Sequence, residues 1–531
     1  MKVAVYDRYW STGGGGEKFA AGIAAALAGE HDVDLIAHEP VDLAWLGERL
    51  ALDLGGVRVT EVGDHAGGVS QASAAYDVFV NASYVSGDVN RATRGLYVVH
   101  FPGPPPSGAA RARTWIASRG VGLLHDGTAS VTWGEGFYLP EESRLHSLRW
   151  TGGDASLTVT AADVGGAAGG PRVPVPVPVL VVLGRFAPAV VGPIEVTAEV
   201  DGVAVGRAVV TPPTARSDRR RGVPLRFTVA AEPGRPVTVW LRCRSWVPAE
   251  LGLGADRRRL GIPVLGVHAG GGARSAVAAA LPQLVGPGAG LEFLDSYDRV
   301  VANSAYTARW TERLWARPAD VLFPPVKPLA PAAAKEPVVL SVGRFFLPGT
   351  GHNKKQLEMV RAFARLHAGG GVEGWSYHLV GGCAPEHRPY LDQIEDAARG
   401  LPVVVHPDAS GVELADLYGR ASIFWHAAGL GEDPQRHPDR YEHFGIATVE
   451  AMSAGVVPVV IDAAGQAEIV ERGRSGYRFA TLAELVAVTR CLIGDDARRA
   501  AVGAAARERA ADFGWEPFVT SVRAELAALA R

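Results

Sequence analysis

Residues 442–460 read EHFGIATVEAMSAGVVPVV. Two carboxylates, Glu442 and Glu450, flank Phe444, Gly445 and Ile446, which lead into a stretch with a helical interior of Val449, Met452 and Ser453. Gly455 fits the residue just past a helix end, and Pro458 lies shortly beyond. The apolar run from Val456 to Ile461, broken only by Pro458, reads as a buried strand. A helix that opens on a glycine brings bare backbone N–H groups close to a phosphate, and its dipole favours that charge. Glu450 falls about one and a half turns into the helix, within reach of a ribose in the same cleft. Glu442 precedes the helix and can accept from sugar hydroxyls.

Upstream, Val338–Val342 reads as a strand followed by GRFFLPGTGHNKKQLEMVRAFARLH, where Leu357, Val360, Phe363 and Ala364 have helical spacing. Arg344 stands at the end of the strand and Lys354 just before the helix. Two fixed cations there would offset the charge that develops on a departing diphosphate. Tyr377–Val380, Val403–Val405 with His406, and Ile423–His426 read as further strands, and Gly465–Glu468 as a segment preceding a helix. Pro517 suits the first turn of a last helix that turns Phe518, Val522, Leu526 and Leu529 inward.

The chain begins in the same style. Val3–Tyr6 is a short strand, then STGGGGEKFAAGIAAALAG places Gly13–Gly16 ahead of an alanine-rich helix. Strand, glycine loop and helix open a doubly wound sheet. A dinucleotide fingerprint starting at Gly13 fails at Lys18, and a P-loop fails because Glu17 follows Gly16. Val78–Asn81 and Gly95–His100 are further strands, the second running into YVVHFPGPPPSG, so that His100 faces the crevice at a strand's C-terminal end. Asp32 and Asp34 form an Asp-x-Asp pair at the start of another strand and read as coincidence. Past position 290 the pattern returns with strand Val300–Ala302, Asn303, Ser304 and a helix carrying Tyr306, Trp310 and Leu314. Arg309, Arg313 and Arg317 share that helix, which reads as a packed helix of the sheet.

These strings resemble the retaining glycosyltransferases of family 4, which have the GT-B fold; the likeness spans roughly residues 1–108 and 268–531. It implies an α/β protein of two facing Rossmann-like domains. It also implies that Arg344 and Lys354 grip the donor diphosphate. Lys355 takes a place usually held by glycine, and the choice between the two lysines stays open. By the same resemblance Glu442 contacts the donor sugar, the amides at Phe444, Gly445 and Ile446 contact the diphosphate, and Glu450 binds the ribose. The loop at Gly14, Gly15 and Gly16 would border the donor phosphate and acceptor, and Phe323–Val326 is similar to the interdomain linker. The His100-aromatic-Pro string and the GGGGE loop are similar to those of dolichol-linked mannosyltransferases, which adds His100 to the catalytic candidates. The family needs no metal and no cofactor, and its leaving group departs from the face that the acceptor attacks.

Between the two stretches of resemblance the pattern changes. Ile194, Val196, Ala198 and Val200 alternate with polar residues, Asp201-Gly202 makes a turn, and Val203–Val210 follows as the partner of a hairpin. Leu225, Phe227 and Val229 alternate too, as do Val237, Val239, Leu241 and Cys243. The expectation is an all-β sandwich inserted in the N-terminal domain. GGAAGG at 165–170 and the Val-Pro alternation at 173–179 read as a flexible or edge segment. Trp133, Phe137, Tyr138 and Trp150 suit either a sugar platform or a core, and the arginine-rich strings at 217–222 and 246–261 suit solvated loops. The expected domains are 1–108 and 268–328 (N-terminal), 109–267 (insert) and 329–531 (C-terminal, nucleotide-sugar binding).

With 531 residues, 47% hydrophobic and 21% charged, the chain has ample core for several domains. A net charge of −3 argues against general nucleic-acid binding. Three scattered cysteines form neither a zinc spacing nor a disulfide framework, which suits a reducing cytoplasm. The opening MKVAVYDRYW has no apolar run of signal-peptide length, and no stretch approaches a membrane span. Peripheral contact with the inner face of the plasma membrane stays open. The expected activity is transfer from a GDP- or UDP-linked sugar to an oligosaccharide or lipid-linked acceptor. The rivals are an epimerase or phosphorylase on the same fold, and a carbohydrate-binding protein with an inactive transferase core.

Overall fold

The computed structural model describes residues 1–62, 68–84, 86–103, 128–138, 141–142, 147–162, 173–214, 222–253, 258–270, 291–332, 334–349 and 353–529. They form two compact units, one of Met1–Glu61, Ser70–Pro104 and Glu292–Arg531, the other of Val62–Val69 and Pro105–Leu291. Along the chain come β1 (Lys2–Tyr6), α1 (Gly15–Ala28), β2 (Asp32–Ala37), β3 (Val57–Glu61), β4 (Val78–Asn81) and β5 (Arg94–Val99). The second unit supplies β6 (Ala129–Trp133), β7 (Glu141–Glu142), β8 (Ser147–Trp150), β9 (Asp154–Ala161) and β10 (Val175–Leu183). It continues with β11 (Ile194–Val200), β12 (Val203–Val210), β13 (Val223–Ala231), β14 (Pro236–Cys243) and β15 (Pro263–Ala269). The first unit resumes with β16 (Arg299–Ala302), α2 (Ala305–Trp315), β17 (Asp320–Val321), β18 (Val338–Val342), α3 (Gln356–Ala368), β19 (Ser376–Gly381) and β20 (Val403–Pro407). It closes with β21 (Ile423–His426), α4 (Ile446–Ser453), β22 (Val457–Ile461), α5 (Ala464–Ile469), β23 (Tyr477–Phe479) and α6 (Trp515–Leu529).

The first unit carries two parallel sheets, ordered β17-β16-β5-β4-β1-β2-β3 and β20-β19-β18-β21-β22-β23. Their strands are apolar runs because helices cover both faces; Val3, Ala4, Val5, Val339 and Leu340 are wholly buried. Strand order reverses beside β1 in one sheet and beside β18 in the other, and ligands of such sheets bind at those points, beyond the C-terminal strand ends. The last helix, α6, packs on α1 of the first sheet through Phe518 and Phe19. The chain therefore crosses between the halves twice. The crossings are tied together where Val326 N donates to Phe513 O at 2.9 Å and the Phe323 and Phe513 rings meet edge to face.

The second unit has two antiparallel sheets, β13-β10-β15-β8-β7 and β12-β11-β14-β9-β6. Val177, Val179 and Val181 from one and Leu157, Val159, Val196 and Leu241 from the other share a single buried core. The β11–β12 hairpin turns on Asp201 and Gly202, both with positive φ, the conformation such tight turns require. The Val-Pro segment is the start of β10, which pairs there with β13 alone and gains β15 on its other side further along, so the edge reading holds for the prolines themselves. Pro176 and Pro178 are tolerated because β15 pairs with β10 only from Val179 onward, so their missing N–H groups leave no ladder partner on that side. Pro458 uses the same arrangement in β22, where pairing with β23 begins at Val459. Phe137 and Trp150 are buried, and Trp133 packs edge to face on Phe137 under the Arg149 guanidinium. The run at 165–170, Arg219, Arg220, Arg221 and Arg257, and the prolines at 104–106 lie outside the described residues.

Two local expectations need adjusting. Gly465–Glu468 do not precede a helix but form the body of α5, which starts one residue earlier. Ala464 there holds φ +52°, a conformation costly for a side chain, and a side chain at Gly465 would strike Phe444 O. Asp32 and Asp34 sit at the start of β2, away from the crevice end, where Asp34 accepts from Arg58 Nε and Tyr76 OH at 2.8 Å each.

Candidate active site

β18 and β21 are neighbours at the switch point of the second sheet, and their C-terminal ends deliver Arg344 and His426. Lys354 comes from the segment entering α3 and Glu442 from the one entering α4. Lys354 Nζ lies 2.5 Å and His426 Nε2 2.8 Å from the same oxygen, Glu442 Oε2. Burial alone would raise the Glu442 carboxyl, but the Lys354 charge and the His426 hydrogen bond hold it well below the usual range. Burial pushes His426 down, toward the neutral imidazole.

Lys355 points elsewhere. Its Nζ pairs with Glu432 at 2.6 Å, and Arg440 holds the other Glu432 oxygen at 2.8 Å, so Lys355 braces the loop between β21 and α4. Its backbone has φ +60°, which is why glycine suits this position. The geometry thus puts Lys354 and not Lys355 beside Glu442.

Two helix starts meet at the cleft. α4 opens after Gly445, whose φ of +121° few side chains tolerate, and no side chain caps it. α1 opens after Gly14, whose N–H donates to Glu17 Oε2 at 2.6 Å. The two approach closely: a side chain on Gly15 would meet Ile446 Cδ1 at 3.2 Å, and one on Gly14 would meet Arg344 Nη2 at 3.5 Å. Among the described residues the Arg344 guanidinium has no hydrogen-bond or ion-pair partner. Phe444 is buried against Phe323 and Phe513, so it anchors α4 by packing.

Glu450 Oε2 accepts from Tyr418 OH at 3.0 Å; burial raises this carboxyl, opposed by the charge of Lys18 from α1. Burial likewise lowers Lys18. Under α1, burial with the added Glu17 charge pushes Asp7 up to about 8. His100 Nε2 donates to Ala82 O at 2.7 Å, its pKa lowered by burial, with its ring beside Gly16. The halves are also joined directly. Phe101 stacks on His443 with centroids 4.0 Å apart, and Glu468 accepts from the N–H groups of Ala305 and Tyr306 at the start of α2.

The structure therefore brings Arg344, Lys354, Glu442, Gly445, Ile446 and the Gly14–Gly16 loop to one cleft. His100 joins it under Gly16, and Glu450 faces Lys18 across it. Sequence reasoning did not single out His426, Glu432, Lys18 or Glu468. His426 had a signal of the kind that marked His100, a histidine ending a strand of a parallel sheet.

Chains of known structure share this architecture. The Anabaena Alr3699/HepE crystal structure in complex with UDP superposes with a TM-score of 0.50 at 13% identity, covering 100% of both chains. The fold is of the GT-B type. Residues 329–509 match the family described as glycosyl transferases group 1. Over 142 residues the chain is 28% identical to sulfoquinovosyl transferase SQD2 of Arabidopsis thaliana, covering 26% of each protein. Over 147 residues it is 33% identical to D-inositol 3-phosphate glycosyltransferase 1 of Catenulispora acidiphila, covering 27% of this chain and 32% of that one. The chain thus spans about a quarter to a third of the length of these curated relatives. No described helix is long and apolar enough to cross a membrane.

Proposed function

We propose that this protein is a retaining, metal-independent glycosyltransferase of the family 4 kind, carrying an inserted β-sandwich. It would take a GDP- or UDP-linked sugar and pass it to an oligosaccharide or lipid-linked acceptor, at or near the cytoplasmic face of a membrane. The observation that carries this reading is the layout at the β18/β21 switch point: Arg344, unpaired among the described residues and close to Gly14, together with the Lys354–Glu442 pair and the uncapped start of α4.

As the bond from the sugar's anomeric carbon to the diphosphate oxygen breaks, negative charge collects on that oxygen. Arg344 and the α4 amides, fixed in advance, offset it, and groups of this kind contribute a few kcal/mol each (~3). Glu442 accepts from the donor sugar's hydroxyls and orients it, and Glu450 accepts from the ribose. The acceptor enters from the side of the glycine loop and His100.

The test is a thermal-shift screen of nucleotide sugars, since a specific ligand stabilises the folded chain by mass action. UDP, held by the Anabaena protein in its crystal, and GDP are the first nucleotides to compare. A ligand found this way is then used for turnover, with the anomeric configuration of the product read by NMR. Inversion, or activity lost to EDTA and restored by magnesium or manganese, overturns the mechanism.

A further inference from the structure

Glu442 can orient a sugar only if its free oxygen is aimed, and the arrangement behind it shows how. Both donors, Lys354 Nζ and His426 Nε2, converge on Oε2. Neither reaches Oε1 at hydrogen-bond distance, so that oxygen is the one left for a ligand. His426 ends the central strand β21 and is 3% exposed, so its ring is fixed by the sheet. An ionised carboxylate only accepts, so the bond to Oε2 requires a proton on Nε2, and in the neutral imidazole that leaves a lone pair on Nδ1. Nδ1 is buried without a protein partner, and so is Gln356 Oε1. The Gln356 amide nitrogen is committed to Gly343 O at 3.1 Å and Arg344 O at 3.0 Å, which fixes which end of that side chain is the acceptor. His426 and Gln356 line one cavity of about 10 Å³, together with Ser341, Lys354 and Met359. That volume is about what one water needs, and two buried acceptors are satisfied together by a molecule with two hydrogens to give.

Building on the glycosyltransferase reading, we propose that His426 is the positioning residue of Glu442: a neutral imidazole that donates from Nε2 to the carboxylate and receives at Nδ1 a hydrogen from a buried water shared with Gln356 Oε1. The charged groups facing His426 are Glu442 and Lys354, the one opposing and the other favouring loss of its proton. The relay runs from the backbone of Gly343 and Arg344, through Gln356, water and imidazole, to Glu442 Oε2, and so aims Oε1, the oxygen left for the sugar. Its effect falls on the sugar half of the donor and not on the nucleotide half, which Arg344 and α4 hold.

Two measurements test it on the full chain. In His426→Phe, which keeps ring volume and removes the donor, kcat with the nucleotide sugar should fall tenfold or more. Affinity for the free nucleoside diphosphate should change less than twofold, and His426→Gln, which restores an N–H, should recover part of kcat. Wild-type kcat in His426→Phe overturns the proposal, and so does a parallel loss of kcat and diphosphate affinity, which marks a merely structural role. The second measurement needs no turnover: ¹⁵N NMR of the wild-type histidines should assign His426 to the neutral Nε2–H form at pH 7. An Nδ1–H tautomer or an imidazolium overturns the proposal even if the enzyme is active. Conversely, no turnover of any nucleotide sugar removes the functional reading while the tautomer still decides the positioning.

Discussion

The two halves of the first unit each present a glycine-led helix start to the same cleft, and the two differ in what already occupies them. At α1 the Gly14 N–H is held by Glu17 from its own first turn, with the buried Asp7 close behind. At α4 no side chain caps the start, while the Arg344 guanidinium, unpaired among the described residues, lies nearest Gly14 at the start of α1. A helix N-terminus attracts an anion through bare N–H groups and its dipole. One end has that need partly met by a carboxyl of its own chain; the other has it open. If the difference carries to ligands, the residue three positions into the helix, Glu17 at α1, sets how much of the helix start is left for an anion.

The comparison predicts unequal losses. Arg344→Ala should cut donor turnover about a hundredfold or more, roughly 3 kcal/mol, with the melting temperature little changed because the side chain is not in a core. Near-native turnover would break the assignment of the diphosphate to Arg344. Next in size is the split between Glu442, ahead of α4, and Glu450 within it. Glu450→Ala should weaken the free nucleoside diphosphate by about 1–3 kcal/mol, and Glu450→Gln, which keeps an acceptor oxygen, by less. Glu442→Ala should weaken the full donor and leave the free diphosphate nearly unchanged. Titration calorimetry of each variant with both ligands separates them, and the opposite pattern reverses the roles. The smallest effect on binding belongs to α1. Glu17→Ala should lower stability by about 1 kcal/mol through the lost cap, with donor affinity altered less than twofold. If affinity falls tenfold instead, α1 is a second phosphate site and the contrast between the helices fails.

Signals confined to a few neighbouring residues were legible in the sequence. The glycines and apolar spacing around 442–460 mark α4 and β22 to within a residue, and β18 and β21 read off their apolar runs directly. Lys355 was legible as standing in a place usually held by glycine, but its left-handed backbone and its partner Glu432 came only with the structure. The Val-Pro segment read as an edge because proline lacks a donor, and the edge is local: the stagger between strands leaves that part of β10 with one neighbour, while the rest of the strand is central. Nothing near 173–179 reveals that β15 joins only at Val179. His426 was missed for a related reason. Its chemistry comes from Glu442 and Gln356, sixteen positions downstream and seventy upstream, brought together only by strand order.

The paired crossings at Val326 and Phe513 limit how the cleft can change its width. Two chain segments bound side by side act as a hinge with its pin in place. A swing about that line would have to part the Phe101–His443 stack and the Glu468 bonds to α2, whereas sliding would also shear the Val326–Phe513 hydrogen bond and the packed phenylalanines. Groups lining the cleft must then part along arcs centred on one pivot. Arg344 and Gly14, on opposite jaws, would lose their alignment and recover it in a single angular movement.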